Sequence, residues 1–396
     1  MEPRIEIISS EPSWVIENDT VRIALTLKGG HMAPVTFFRK SDSPVQPYYV
    51  SPWQGEGKPV QPPVLEPLRG DFFCMPFGGD SMVKGIAHTT HGEPATGTWR
   101  AGSLQQSDAL TRLTLTMDTT ALKGRITKTI SLVPGQNVIY IRHLLEGFDT
   151  RTSLGHHATL AGGDTPDALL LSTSPVQFGS VPPRPAGTFE VGGEYNALLA
   201  GAEFRSLEKV PTVWKEMPFD SCASFPRRRG FCDLVQVYNR QAPGPAWVAA
   251  VNPAEGWMWF ALKDPSVQPS TLFWMENHGR HSEPWKGRNS CLGLEDVCGY
   301  FAEGLAASVK KNPLNDKGVP TARKLSPTRP TAVNYIQGMT RVPKGFGRVK
   351  TARFQHGSVT FVGQSGKTAA AAVDHGFLFS GTVGSPTDSR ASRGAM

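Results

Sequence analysis

Residues 113–142 read LTLTMDTTALKGRITKTISLVPGQNVIYIR. Leu113, Leu115 and Met117 alternate with threonines, and Ile126-Thr127-Lys128-Thr129-Ile130-Ser131-Leu132 repeats the pattern. Asn137-Val138-Ile139-Tyr140-Ile141-Arg142 follows directly after a Pro134-Gly135 turn. A period of two sends successive side chains to opposite faces, so these segments read as half-buried antiparallel strands joined by short connections. Val21–Leu27 shows the same alternation, and 231–238, 246–251, 257–262 and 271–275 are further strand candidates. No long amphipathic helix is predicted. So many strands bury their apolar faces only by packing two sheets together, and the predicted fold is all-β, one large antiparallel β-sandwich.

Composition agrees. Gly 41 and Pro 33 in 396 residues imply frequent turns, and 39 % apolar against 19 % charged residues allows a substantial core. The net charge of +7 raises nucleic-acid binding, but the basic residues are scattered. The densest runs, Arg227-Arg228-Arg229 and Lys310-Lys311, come with no basic helix, zinc-finger spacing or RNA-binding signature. Arg227-Arg228-Arg229 is a solvated turn or a phosphate reader. Cys74, Cys222, Cys232, Cys291 and Cys298 contain no CxxC pair, which speaks for reduced thiols over a disulfide framework or zinc site. The N-terminal stretch lacks a signal-peptide core, and no run reaches the ~18 apolar residues of a membrane span. A cytoplasmic location, with no membrane or nucleic-acid partner, is expected. Oligomeric state is not legible.

One domain is expected over residues 1–382. It includes a long Pro-rich loop at 41–67, and a flexible tail follows at 383–396.

Residues 271–305, TLFWMENHGRHSEPWKGRNSCLGLEDVCGYFAEGL, crowd Trp274, Glu276, His278, Arg280, His281, Trp285, Arg288 and Glu295 into a short span. Core segments seldom hold so many ionisable groups, so this stretch reads as the wall of a polar cleft. Aromatic faces beside planar donors and acceptors suit a polyol such as a carbohydrate. Glu295 is its most suggestive acid or base. Glu276 and His278 alternate with Asn277 and are candidates to face the cleft together, with Trp285 and Arg288 as further wall. A Glu/His pair alone does not define a metal site, so no metal is predicted.

Further pieces lie upstream: Arg69 in Leu68-Arg69-Gly70-Asp71-Phe72-Phe73, His91 in His91-Gly92-Glu93-Pro94, His157 in Gly155-His156-His157-Ala158-Thr159-Leu160, and Asp233 after Gly230-Phe231-Cys232. In this order, with Gly29-Gly30 near the start and Gly293-Leu294-Glu295 near the end, the chain resembles the galactose mutarotase (aldose 1-epimerase) superfamily over roughly residues 15–365. It departs from the familiar pattern at Glu93-Pro94 and at Ala158-Thr159-Leu160, which places it on a divergent branch. The resemblance implies a β-supersandwich that interconverts sugar anomers. It also implies that Arg69 and His91 bind sugar hydroxyls, that Asp233 binds a further hydroxyl, and that His157 is the general acid and Glu295 the general base. No cofactor is required, since mutarotation needs only a base at the anomeric O1–H and an acid at the ring oxygen. Two other readings use the same cleft: a non-catalytic carbohydrate-binding or sugar-sensing protein, and a sugar lyase or isomerase.

Overall fold

The computed structural model describes residues 3–183 and 194–384. The chain is a β-sandwich built on two large antiparallel sheets. The first has nine strands, in the spatial order 224–225, 169–173, 246–252, 257–263, 331–341, 138–146, 124–132, 111–119 and 100–106. The second has seven, in the order 203–204, 176–180, 231–239, 270–277, 290–298, 154–161 and 73–74.

The alternating stretch that predicted the fold forms three neighbouring strands of the nine-stranded sheet, Thr111–Thr119, Gly124–Leu132 and Val138–Glu146. Leu113, Leu115, Ile126, Ile130, Ile139 and Ile141 enter the core between the sheets, where they meet Leu154, Ala158, Phe273, Leu292 and Leu294. Lys128 occupies a core-facing position in the same row and is buried. Its Nζ donates to the Gly30 carbonyl at 2.7 Å, and burial lowers its pKa to about 8.

Strands at Leu154–Ala161, Ser290–Cys298 and Thr331–Arg341 carry no clean alternation, because both of their faces are covered. The outer face of the nine-stranded sheet is sealed by a three-stranded sheet, Val349–Gln355, Ser358–Gly363 and Thr368–Ala372, through a second apolar cluster that includes Phe260, Phe361 and Trp247. A four-stranded sheet over 5–36 adds Trp14, Ile16, Ile23 and Leu25 to the main core.

The Pro-rich stretch 41–67 is irregular apart from one 3-10 turn, Pro63–Leu65. It lies over the seven-stranded sheet and packs Trp53, Val64 and Leu65 against Trp285 and Trp274. The tail expected from residue 383 lies, from 385 onward, outside the described residues. Among the described residues, no helix is long and apolar enough to cross a membrane.

Candidate functional site

The outer face of the seven-stranded sheet is the floor of a cleft of about 500 Å³, within the usual range for small-molecule sites. Its contents follow from strand register. His157 pairs with Glu295 and His156 with Asp296 across the antiparallel ladder between 154–161 and 290–298. Because faces alternate, the first pair looks into the cleft and the second into the core.

In the cleft, His157 Nε2 stands 3.3 Å from Glu295 Oε1. The other ring nitrogen, Nδ1, is 3.1 Å from Thr159 Oγ1, two residues along the same face. Phe72 stacks on the imidazole at 4.6 Å, and His91 meets it edge-on at 4.9 Å. Burial pushes the Glu295 carboxyl well above the ordinary range, with Arg280 pulling the other way. It drives the His157 imidazole well below its usual value, helped by His91 and Arg280. Both groups are thereby favoured in their uncharged forms: a carboxylic acid that donates a proton beside an imidazole that accepts one.

On the core face, His156 Nδ1 is 2.9 Å from Asp71 Oδ2, and its ring stacks on Tyr335 at 4.2 Å. The Tyr335 hydroxyl donates to Asp296 at 2.8 Å, and Lys263 Nζ meets Asp296 at 2.5 Å. This fully buried chain ties the two sheets together directly beneath the His157–Glu295 pair.

His91 reaches the cleft from a tight turn with φ 61° at His91 and 75° at Gly92. A side chain at Gly92 would collide with the Met75 carbonyl, so glycine is required there. Trp285 forms a side wall, edge-on to Trp274 at 5.6 Å and to Trp53 at 4.8 Å.

Thus His91, His157, Trp285 and Glu295 are brought together. Arg69, Asp233, His278 and Arg288 are not. Arg69 is fully buried, and its guanidinium donates to the carbonyls of Ile8, Ser9 and Pro67 and to Gln54. These acceptors make it a clamp on the N-terminal hairpin. Asp233 is one residue out of phase with the cleft-facing Leu234. It accepts from the Ala197 and Leu198 amides and from Arg228.

His278 lies just beyond the end of its strand, so the alternation from Glu276 fails. It bridges the Gly287 carbonyl and Asp164. Arg288 pairs with Glu56 at 2.5 Å and fastens the Pro-rich stretch. Glu276 does share the cleft-facing row, but it is buried under the 278–281 turn and accepts the Gly279 and Arg280 amides. Burial raises its pKa. The Arg227-Arg228-Arg229 run is spent on Asp167, Asp220, Asp233 and Asp164.

The guanidinium that does line the cleft belongs to Arg280. It stacks on Trp274 at 5.0 Å and Trp285 at 4.8 Å, with its Nε 2.7 Å from Glu194. Arg280 and Trp274 stood in the polar stretch 271–305, but which of its residues faced the cleft was not readable there. Trp274 was the more accessible, two residues before Glu276 on one strand face.

No family model matches the chain, and no curated protein matches it in sequence. Solved structures do resemble it. A galactose mutarotase-like protein from Clostridium acetobutylicum superposes with a TM-score of 0.58 at 10 % identity, covering 86 % of this chain and 98 % of that one. A candidate aldose 1-epimerase from Klebsiella pneumoniae gives 0.55 at 12 % identity, over 83 % and 79 %. A galactose mutarotase related enzyme from Lactobacillus acidophilus gives 0.52 at 11 % identity, over 84 % and 99 %. At these identities the likeness establishes a galactose mutarotase-like fold.

Proposed function

We propose that this chain, with its galactose mutarotase-like fold, is an aldose 1-epimerase-like enzyme acting on a small carbohydrate. One observation carries the reading: an imidazole and a carboxyl 3.3 Å apart, from adjacent strands, at the base of a cleft with tryptophan walls.

Ring opening removes the proton from the anomeric O1–H and adds one to the ring oxygen. Rotation about C1–C2 and closure then exchange the two faces. The chemistry needs one acid and one base that swap roles, hence a pair sharing a single proton. Burial favours the arrangement with that proton on Glu295. The arrangement with the proton on His157 holds the same number of protons and is reached by transfer across the pair. From it, Glu295 takes the O1 proton and His157 protonates the ring oxygen. Each positioned acid or base contributes about 10²–10⁴-fold. Trp274 and Trp285 stack on the apolar face of the sugar, while His91 and Arg280 bind hydroxyls; Arg280 takes the place that the resemblance gave to Arg69.

The five cysteines are free and buried, which supports a reducing, cytoplasmic setting.

The test is anomer exchange by NMR over a panel of free aldoses, comparing the wild type with Glu295→Gln. Accelerated exchange that the variant loses while still binding sugar supports the reading. Undiminished exchange in the variant removes Glu295 from the reaction. Saturable binding without exchange in either protein makes the chain a sugar-binding protein.

A further inference from the structure

The ladder fixes the order of side chains across the cleft floor. Leu272 on 270–277 is the cross-strand partner of Glu295, and Leu234 on 231–239 is the partner of Trp274. Read across the sheet, the row through the pair runs Gln236, Leu272, Glu295, His157, with Leu234 diagonal to Leu272; Leu234, Leu272, Glu295 and His157 line the cleft together with Phe72. The acid–base pair therefore has leucines on one flank, and on that flank the floor offers no hydrogen bond. Gln236, the next residue on the same strand face as Leu234, is spent on Ser270, the Gly299 carbonyl and the Phe301 amide. Asp233 is turned to the other face and held by Arg228 and two amides. Leu234 is half-buried and Leu272 fully buried, packed in one cluster with Trp274, Trp285 and Phe301.

A sugar carbon bearing a hydroxyl, set against this flank, exchanges its water hydrogen bonds for contact with leucine and gains no partner from the floor. A methylene there meets no such penalty. Glu295 acts at O1 and His157 at the ring oxygen, so the side of Glu295 away from His157 faces the C2–C3 edge of the ring.

We infer that the preferred substrate is a deoxy aldose, lacking a hydroxyl at C2 or C3. This rests on the epimerase reading for the orientation of the ring. An apolar pocket discriminates against an added hydroxyl by about 10–100-fold, which sets the expected size of the preference.

The experiment compares D-glucose with 2-deoxy- and 3-deoxy-D-glucose. D-galactose against D-fucose, which differ only at C6, is the control. Two quantities are read for each sugar: exchange kcat/KM divided by the uncatalysed rate of the same sugar, and Kd from ligand-observed NMR. The expected result is a preference of about 10–100-fold for the 2-deoxy or 3-deoxy sugar, against a ratio near one for the C6 pair. Leu234→Asn should narrow the preference and Leu234→Ala, which changes volume without adding a donor, should keep it. A preference at both C2 and C3 no larger than the C6 control overturns the inference. If no sugar is exchanged, the epimerase reading fails, while the Kd ratios still decide between a deoxy-selective cleft and an unselective one.

Discussion

The Glu295 carboxyl lies over Gly293, two residues earlier on the same strand face, so a methyl group there would stand 2.5 Å from Oε1. The Trp274 Cβ closes the other side at 3.0 Å. Gly293→Ala is expected to push the carboxyl off His157, a flexible group that yields at little cost to the fold. Exchange kcat should fall about 10–100-fold with the melting temperature nearly unchanged. Parallel NMR kinetics and thermal melts check this; full activity would show that the carboxyl position above Gly293 is not the working one.

Arg69 sits among backbone carbonyls, and its loss should be felt in stability. Arg69→Met leaves the Ile8, Ser9 and Pro67 carbonyls without their donor and should cost about 2–4 kcal/mol in urea unfolding. Sugar KM should stay within about twofold. A raised KM with unchanged stability would return Arg69 to the ligand-binding role that the family resemblance implied.

Lys263 and Asp296 form an ion pair with both side chains fully buried. Removing one partner strands the other charge, and Lys263→Met alone should destabilise the protein by about 3–5 kcal/mol. Lys263→Met with Asp296→Leu should recover much of that loss, as measured by chemical denaturation. A double variant no better than the single one would locate the cost in the Tyr335 and Thr271 contacts to Asp296.

Stability should fall on acidification. Burial holds His31 and His91 at about 3 and drives His143 and His157 well below their usual range. Below about pH 6.5 the unfolded chain binds protons that the folded one refuses. Each such ring then removes up to about 1.4 kcal/mol per pH unit as the pH falls toward its folded value. Glu295 and Glu276, both raised, act with the opposite sign. Their contribution is complete below about pH 4.5 and is lost as the pH rises toward their folded values. Unfolding free energies at pH 5, 6 and 7, with a net uptake of protons on unfolding at pH 5, would bear this out; a flat profile would not.

Period-two alternation was legible where one face is wetter than the other, although Ala246–Asn252, Trp257–Lys263 and Ser270–Asn277, buried on both faces, were also among the strand candidates. Thr111–Thr119 and Gly124–Leu132 announced themselves by alternation, whereas Leu154–Ala161 and Ser290–Cys298 did not, because burial on both faces erases the period. The site was legible only in part, for two reasons. Asp233 failed on parity, since a single residue separates the cleft face from the core face and the exact phase of the strand was not readable. Arg69 failed on distance: its acceptors at Ile8 and Ser9 lie about sixty residues away, and no local pattern reports them. Arg280 was visible as a charge in an unusual stretch, but its perch on two indoles is a tertiary fact.

Neighbouring histidines in the 154–161 strand serve separate masters. Position 157 faces the cleft, and position 156 the bond between the sheets. The strand's own thickness insulates them, so substitutions at 157 and 159 change the cleft without touching the joint, and those at 156 and 158 do the reverse. A one-residue slip would exchange the two sets and ruin both.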